Sequence, residues 1–246
     1  LKVKVEFRKD ITASDLPTTS ETLNLSFTVN YVQSDETGTN VTDNGVKKVL
    51  DIVSGDLETV GSEVAIGDEH FYIISSDEDS VTMLAKYNLE VGNVCTSSSS
   101  CTPIENPSGL QNSTMIGYPT DGSYPRYGTT AFSSTAYWGS VSNGTYIYDS
   151  NSTLYNYVES YRTYLESQGA EIEEARLIKY EELTALGCSE SNCYSAPSWV
   201  YGISYWSGAA NNSSFLWRVF SIGPISTTTY SYSRYFGVRP VIVLKS

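Results

Sequence analysis

Residues 205–242 read YWSGAANNSSFLWRVFSIGPISTTTYSYSRYFGVRPVI, and two kinds of residue alternate along them. Tyr205, Trp206, Gly208, Trp217, Val219, Gly223, Phe236, Gly237, Val238, Pro240 and Ile242 have the character of scaffold. Between them run Asn, Ser, Thr, Tyr, Phe, Ile and Arg, with no lasting strand or helix period. Those residue types suit a binding surface. Tyr offers rigid amphipathic area at low entropic cost, Ser and Asn offer adaptable hydrogen bonds, and Arg offers a planar fork. A Ser/Thr-rich loop region of an ordinary β domain has the same composition.

A gap in the composition favours the first. From 209 to 235 there is no Lys, Glu, Gln or Met, and Trp occurs once, at Trp217. These are the residue types that no codon ending in a pyrimidine encodes. Randomising the adenines of the Asn codons AAC or AAT reaches every other residue type and none of these.

The WSG at 206–208, the triplet Trp217-Arg218-Val219, Gly223 and the closing FGVRPVIV at 236–243 resemble the variable proteins of diversity-generating retroelements. The resemblance covers about the last three quarters of the chain. The run EARLIKYEEL at 174–183 is similar to a strand-to-helix motif of the formylglycine-generating-enzyme branch of the same fold superfamily. The resemblance implies an α+β, C-type lectin-like fold of two helices, small antiparallel sheets and long loops. It also implies that a segment at about 205–236 is rewritten by adenine-directed mutagenesis. The candidate ligand-binding residues are then Asn211, Asn212, Ser214, Phe215, Arg218, Phe220, Ile222, Thr228, Tyr230, Tyr232 and Arg234. If Phe215, Phe220 and Ile222 are exposed, they form an apolar patch of the kind a binding protein carries. Trp199, Trp206 and Trp217 read as structural.

The 246 residues, with 40% hydrophobic and 13% aromatic content, suffice for a real core. No run of apolar residues is long enough to span a membrane. The net charge of −13 argues against nucleic acid and anionic membranes as partners. The chain begins at Leu1 rather than Met, as a mature or trimmed fragment would, with any signal or anchor upstream. Four cysteines fall in two local pairs, Cys95/Cys101 and Cys188/Cys193, neither with the spacing of zinc or redox motifs. Two local disulfides and an extracellular, cell-surface or virion location are the expectation.

Residues 1–54 are expected to form a linker and a short β segment, either the tail of an immunoglobulin-like domain or edge strands added to the main domain, which is expected at 55–246. Before the main domain, 1–7 (LKVKVEF) and 23–32 (LNLSFTVNYV) alternate as strands do, and 33–44 read as linker. The stretch 46–53 has the pattern of one short helix. Within the main domain, 63–66, 71–75 and 81–87 read as strands. Gly67-Asp68 makes a tight turn and Asp77-Glu78-Asp79 a longer, solvated one. The single histidine, His70, sits beside the first turn without an evident carboxylate partner and reads as structural. Residues 88–138, rich in Gly, Pro, Ser and Tyr, read as a loop-rich insertion. Leu154, Tyr157, Val158, Tyr161 and Leu165 put a helix over 152–168, stopped by Gly169. A strand at 175–178 and a second helix at 180–186, ended by Gly187, follow. The lectin resemblance implies that the terminal strand, 238–244, closes against 63–66.

The function expected is binding without catalysis. The partner expected is a protein or cell-surface ligand, with no cofactor, metal or nucleic acid. A structural or adhesive surface subunit is the alternative. The enzyme branch of the superfamily uses a cysteine pair in its C-terminal half, but no cysteine follows Cys193. The sugar-binding triplets EPN and QPD of calcium-dependent lectins, and their WND, are absent.

Overall fold

The computed structural model describes residues 52–129, 145–146, 152–212, 215–229 and 235–245. The chain separates into two units, Leu1–Thr42 and Asp43–Ser246, and every described residue belongs to the second. The strands expected at 1–7 and 23–32 and the linker at 33–44 lie outside the described residues. So does most of the helix expected at 46–53. Its last residue instead opens strand β1, Val53–Ser54.

The main sheet grows from a meander. β2 (Glu63–Ile66) and β3 (Glu69–Ser76) are joined by a two-residue turn in which Gly67 takes a φ of 58°. β4 (Ser80–Ala85) follows a turn in which the Asp77 carboxylate accepts from the backbone N–H groups of Asp79 and Ser80 at 3.0 and 2.8 Å. These hydrogen bonds also hold the Asp77 carboxyl below its usual range. β13 (Pro240–Lys245) then pairs antiparallel with β4 on one side and with β9 (Ile172–Leu177) on the other. The sheet order is β1-β2-β3-β4-β13-β9. This corrects the expectation that the terminal strand closes against Glu63–Ile66. β2 already carries β1 and β3 on its two edges, so the free edge of the meander belongs to β4. β13 is buried from Pro240 to Leu244, and an interior position satisfies its backbone on both sides.

Helix α1 (Thr153–Ser167) packs on β9. Ser152 caps it, its Oγ accepting from the Leu154 N–H at 3.1 Å. Gly169 ends it at a φ of 99°. Leu154, Val158, Tyr161 and Leu165 are buried along one face, as the periodicity requires. Each such side chain contributes about 1.5–3 kcal/mol of apolar transfer. Tyr161 also donates its hydroxyl to the buried Glu69 carboxylate at 2.6 Å, tying the helix to β3. Helix α2 (Tyr180–Ala185) follows β9 directly. Arg176 of β9 forks onto Glu182 of α2 at 2.8 and 2.7 Å, and Glu182 also accepts from the Lys179 N–H at 2.8 Å. That pair fixes the angle at which the strand turns into the helix. A third helix, α3 (Ser198–Tyr201), has only four residues, too few to leave a periodic signal.

Two smaller sheets complete the fold. β5 (Asn93–Cys95), β6 (Cys101–Pro103) and β7 (Arg126–Gly128) form a sheet of order β6-β5-β7 inside the run read as loop. Strands of three residues are too short for an alternating pattern to show. The other sheet joins β8 (Thr145–Tyr146), β10 (Tyr205–Asn212), β11 (Phe215–Val219) and β12 (Ile225–Thr229) in the order β12-β11-β10-β8. The described part of the chain is thus an α+β arrangement of three helices and several small antiparallel sheets. Both expected disulfides, Cys95–Cys101 and Cys188–Cys193, are formed. No helix among the described residues is long and apolar enough to cross a membrane.

Candidate functional site

The β10–β11–β12 sheet lies between two apolar clusters. Trp206 and Leu216, with Phe236 and Val238, belong to the cluster that α1 completes. Tyr205, Ala209, Trp217, Val219 and Ile225 belong to a second cluster with Ile178, Leu183 and Val200. Trp206 is anchored further by its indole N–H, which donates to the Thr129 carbonyl at 2.8 Å. Trp217 stacks on Tyr180 at a centroid distance of 5.1 Å, and Trp199 stacks on Tyr72 at 4.8 Å. All three tryptophans are packing residues.

The pairing of β10 with β11 slips between Trp206 and Asn212, and Ser207 bridges the irregularity. Its hydroxyl donates to the Trp217 carbonyl at 3.0 Å and accepts from the Ala209 N–H at 3.2 Å. The Gly208 N–H leaves the sheet to reach the Ile178 carbonyl at 2.9 Å. Every residue read as scaffold between 205 and 242 is buried: Tyr205, Trp206, Gly208, Trp217, Val219, Gly223, Phe236, Gly237, Val238, Pro240 and Ile242.

The candidate ligand-binding residues divide between the two ends of this sheet. Asn211 and Asn212 close β10, and Phe215, 38% exposed, opens β11 opposite Thr229. Ile222, 43% exposed, sits at the far end of β11, in the turn before β12. The five-residue length of β11, roughly 15 Å, separates Phe215 from the turn that carries Ile222. Arg218 lies between them, half-buried. Its Nε donates to Ser226 Oγ at 3.1 Å, and its guanidinium lies 4.8 Å from the ring centroids of both Phe220 and Phe236.

Two candidates do not face outward as expected. Phe220 is half-buried, wedged edge-on between Tyr118 at 5.9 Å and Phe236 at 4.9 Å, because it directly follows β11 on the side of the main cluster. Thr228 is 7% exposed, since it pairs with the fully buried Leu216. Ser214, Tyr230, Tyr232 and Arg234 lie outside the described residues.

The turn at 220–224 is held from two directions. The Phe220 N–H donates to the Pro224 carbonyl and the Gly223 N–H to the Phe220 carbonyl, both at 2.9 Å. On one side the Cys188–Cys193 loop pairs with it. Cys193 N–H donates to the Gly223 carbonyl at 2.8 Å, and Ile225 N–H donates to the Ser191 carbonyl at 3.0 Å. The Tyr194 ring lies against Gly223, where a β-carbon would collide with it, and Tyr194 is 62% exposed. On the other side the Ser221 hydroxyl donates to the Tyr118 carbonyl at 2.6 Å, and the Ser221 N–H donates to Ser204 Oγ at 2.8 Å.

Beyond Ser221 opens a cleft of about 470 Å³ lined by Pro119, Asp121, Tyr124, Tyr127 and neighbouring residues. Neither Tyr194 nor this cleft is legible in the sequence. Tyr194 carries no signal beyond its place after a cysteine, and the cleft is built from a run without periodicity.

His70 differs from its reading as a histidine without a carboxylate partner. Its Nδ1 lies 2.9 Å from Glu63 Oε1, and the same carboxylate accepts from Lys86 Nζ at 2.7 and 2.8 Å. The Lys86 ammonium holds the Glu63 carboxyl below its usual range. The group sits on exposed strand surface away from the β10–β12 sheet. Among the described residues no group of His, Cys, Asp and Glu is arranged to hold a metal ion. Comparison with protein-family models, curated proteins and solved structures finds no match to this chain.

Proposed function

We propose that this chain is a ligand-binding display protein whose C-terminal surface, at about 205–236, is diversified by a retroelement. It binds a protein or cell-surface ligand without catalysis, metal or cofactor. The observation that carries this reading is the division of labour along 205–242. Every residue with scaffold character is buried, whereas Phe215, Arg218 and Ile222 between them are exposed or half-exposed. Substitution at the outward positions changes partner contacts while the buried frame keeps the backbone in place. The absence of Lys, Glu, Gln and Met from 209 to 235 supports the same conclusion from the genetic side.

The reading takes the fold as C-type lectin-like. Two principal helices, a sheet completed by the terminal strand and a smaller sheet bearing the variable segment support it. The two disulfides accord with an extracellular or cell-surface setting. Sequencing the coding locus tests the proposal. A near-identical template repeat that differs only at adenines, beside a reverse transcriptase gene, is the expected result. A locus without such a repeat would overturn the retroelement reading.

A further inference from the structure

The cleft beside Ser221 is built almost wholly outside the stretch 209–235, so it stands whether or not that stretch is diversified. Asp121, Ser123, Tyr124, Tyr127 and Ser221 are among its lining residues. The lining holds one carboxylate, two tyrosines, three aliphatic hydroxyls and two prolines, and no Lys, Arg or His. Its volume of about 470 Å³ is that of a side-chain or small-ligand pocket.

The chemistry of the lining selects a cation on an apolar stem. The Asp121 carboxylate accepts from the Ser123 N–H at 2.9 Å, which fixes its orientation and leaves its second oxygen outside that hydrogen bond. Hydrogen bonds from Ser123 hold the Asp121 carboxyl below its usual range, so it is ionised at neutral pH. The nearby Arg126 guanidinium adds a smaller attraction, but among the described residues none forms a contact ion pair with the Asp121 carboxylate. Ring faces and prolines suit an alkyl stem, and the negative face of a tyrosine ring attracts a guanidinium or ammonium.

The same neighbourhood already holds one guanidinium in this way. Arg126 lies 4.1 Å from the centroids of Tyr118 and Tyr124 and 5.1 Å from that of Tyr235. Its donors are committed to backbone, Nε to the Ser123 carbonyl at 3.0 Å and Nη2 to the Gly122 carbonyl.

We propose that this cleft receives an Arg or Lys side chain of a protein partner. Exposed Ile222, next to the cleft-lining Ser221, and Tyr194, against Gly223, supply adjoining apolar contact. The charge of the whole molecule, −13, steers basic partners toward it. An open cleft beside exposed apolar side chains suits a residue carried on a protein surface better than a free metabolite, which an enclosed pocket would serve.

The test uses blocked arginine (N-acetyl-arginine amide) as probe, with blocked citrulline as its neutral isostere and free arginine as the metabolite arm. Binding to the intact, oxidised protein is followed by chemical-shift changes of Ile116 and Tyr127. Saturable millimolar binding of blocked arginine is expected, with citrulline at least about fivefold weaker and Asp121→Asn losing that preference. Tyr124→Ala is expected to weaken both probes. Asn retains the oxygen that accepts from Ser123, so the turn survives the Asp121 substitution, and a thermal melt checks this. Should that variant fail to fold, Tyr127→Ala and the salt dependence of wild-type binding carry the test. Equal affinity for citrulline, or no saturable binding, overturns the proposal. Free arginine bound much more tightly than the blocked form would overturn the protein side chain as occupant.

Discussion

Arg239 and Tyr205 converge on one carbonyl: Arg239 Nη1 donates to Val200 O at 3.1 Å, and the Tyr205 hydroxyl donates to the same oxygen at 2.7 Å. The guanidinium lies 5.0 Å from the Tyr205 ring centroid, and both residues are almost wholly buried. Arg239 also donates to the carbonyls of Ala85, Lys86 and Trp199, at 2.6, 3.3 and 3.0 Å. One side chain thus joins the end of β4, helix α3 and the strand that follows the variable segment. Arg239→Met would strip those carbonyls of a charged donor while filling the volume. Urea unfolding is expected to show a loss of at least about 3 kcal/mol. A loss under about 1 kcal/mol would mean that water or neighbours replace the guanidinium at little cost.

Burial pushes the Tyr205 hydroxyl up to about 12, against the opposing pull of the Arg239 charge. Tyr161 is raised well above its usual value by burial and then by the neighbouring Glu69 carboxylate. In the unfolded chain both ionise near pH ~10. Their contribution to stability is therefore complete below about pH 10 and is lost as pH rises above it, through about 12 for Tyr205. Unfolding free energy measured across that window, beside phenolate absorbance, should fall steeply, and Tyr205→Phe should flatten the slope. An unchanged stability through the window would contradict the buried, neutral state of these hydroxyls.

Phe220 and Ile222 stand two residues apart and should respond differently. Phe220→Ser removes a ring packed between Tyr118 and Phe236, at an expected cost of about 1–3 kcal/mol. Ile222→Ser and Phe215→Ser should change stability by about 0.5 kcal/mol or less, since both side chains are exposed. Thermal melts of the three single variants make the comparison. A melt of Ile222→Ser as low as that of Phe220→Ser would place Ile222 in the core as well.

Gly237 allows the chain to pass directly over Asn88. A β-carbon there would collide with the Asn88 side chain, whose amide donates to the carbonyls of Met115 and Ser204 at 2.6 and 3.1 Å. Gly237→Ala is expected to cost about 2 kcal/mol or more. Its effect should be strongly non-additive with Asn88→Gly, which removes all three colliding atoms. Additive losses in chemical denaturation would show that the two residues do not press on each other.

Each disulfide closes a short loop and should contribute about 2 kcal/mol. Replacing Cys188 and Cys193 by Ser should also release the 220–224 turn. Amide exchange at Gly223 and Ile225 should then quicken while that of β13 stays slow. Equal protection in the two proteins would show that the loop's hydrogen bonds alone hold the turn.

Much of the local structure was legible in the chain because local chemistry dictates it. Ser152 and Gly169 bracket α1, and the spacing of Leu154, Val158, Tyr161 and Leu165 names its buried face. Gly67 and Asp77 mark the two hairpins of the meander. The cysteine spacings predicted both local bonds. The buried character of Trp206, Trp217 and the FGVRPVI run was also readable, since large apolar side chains and glycines among polar residues leave few other roles.

What the tertiary structure alone decided is which distant surfaces meet. β13 lies between β4 and β9, rather than against β2, because β1 and β3 already occupy both edges of β2 while β4 was left with an edge to pair. Thr228 and Phe220 turn inward because their strand partners and the Phe236 ring sit on that side, a fact no spacing encodes. The cleft at Asp121 exists only because Ser221 and Gly202 arrive beside a loop a hundred residues earlier in the chain. Periodicity and capping act over a few residues and survive in the sequence as pattern. Edge pairing and pocket formation depend on contacts between remote segments, whose free energy belongs to the folded arrangement and not to either segment by itself.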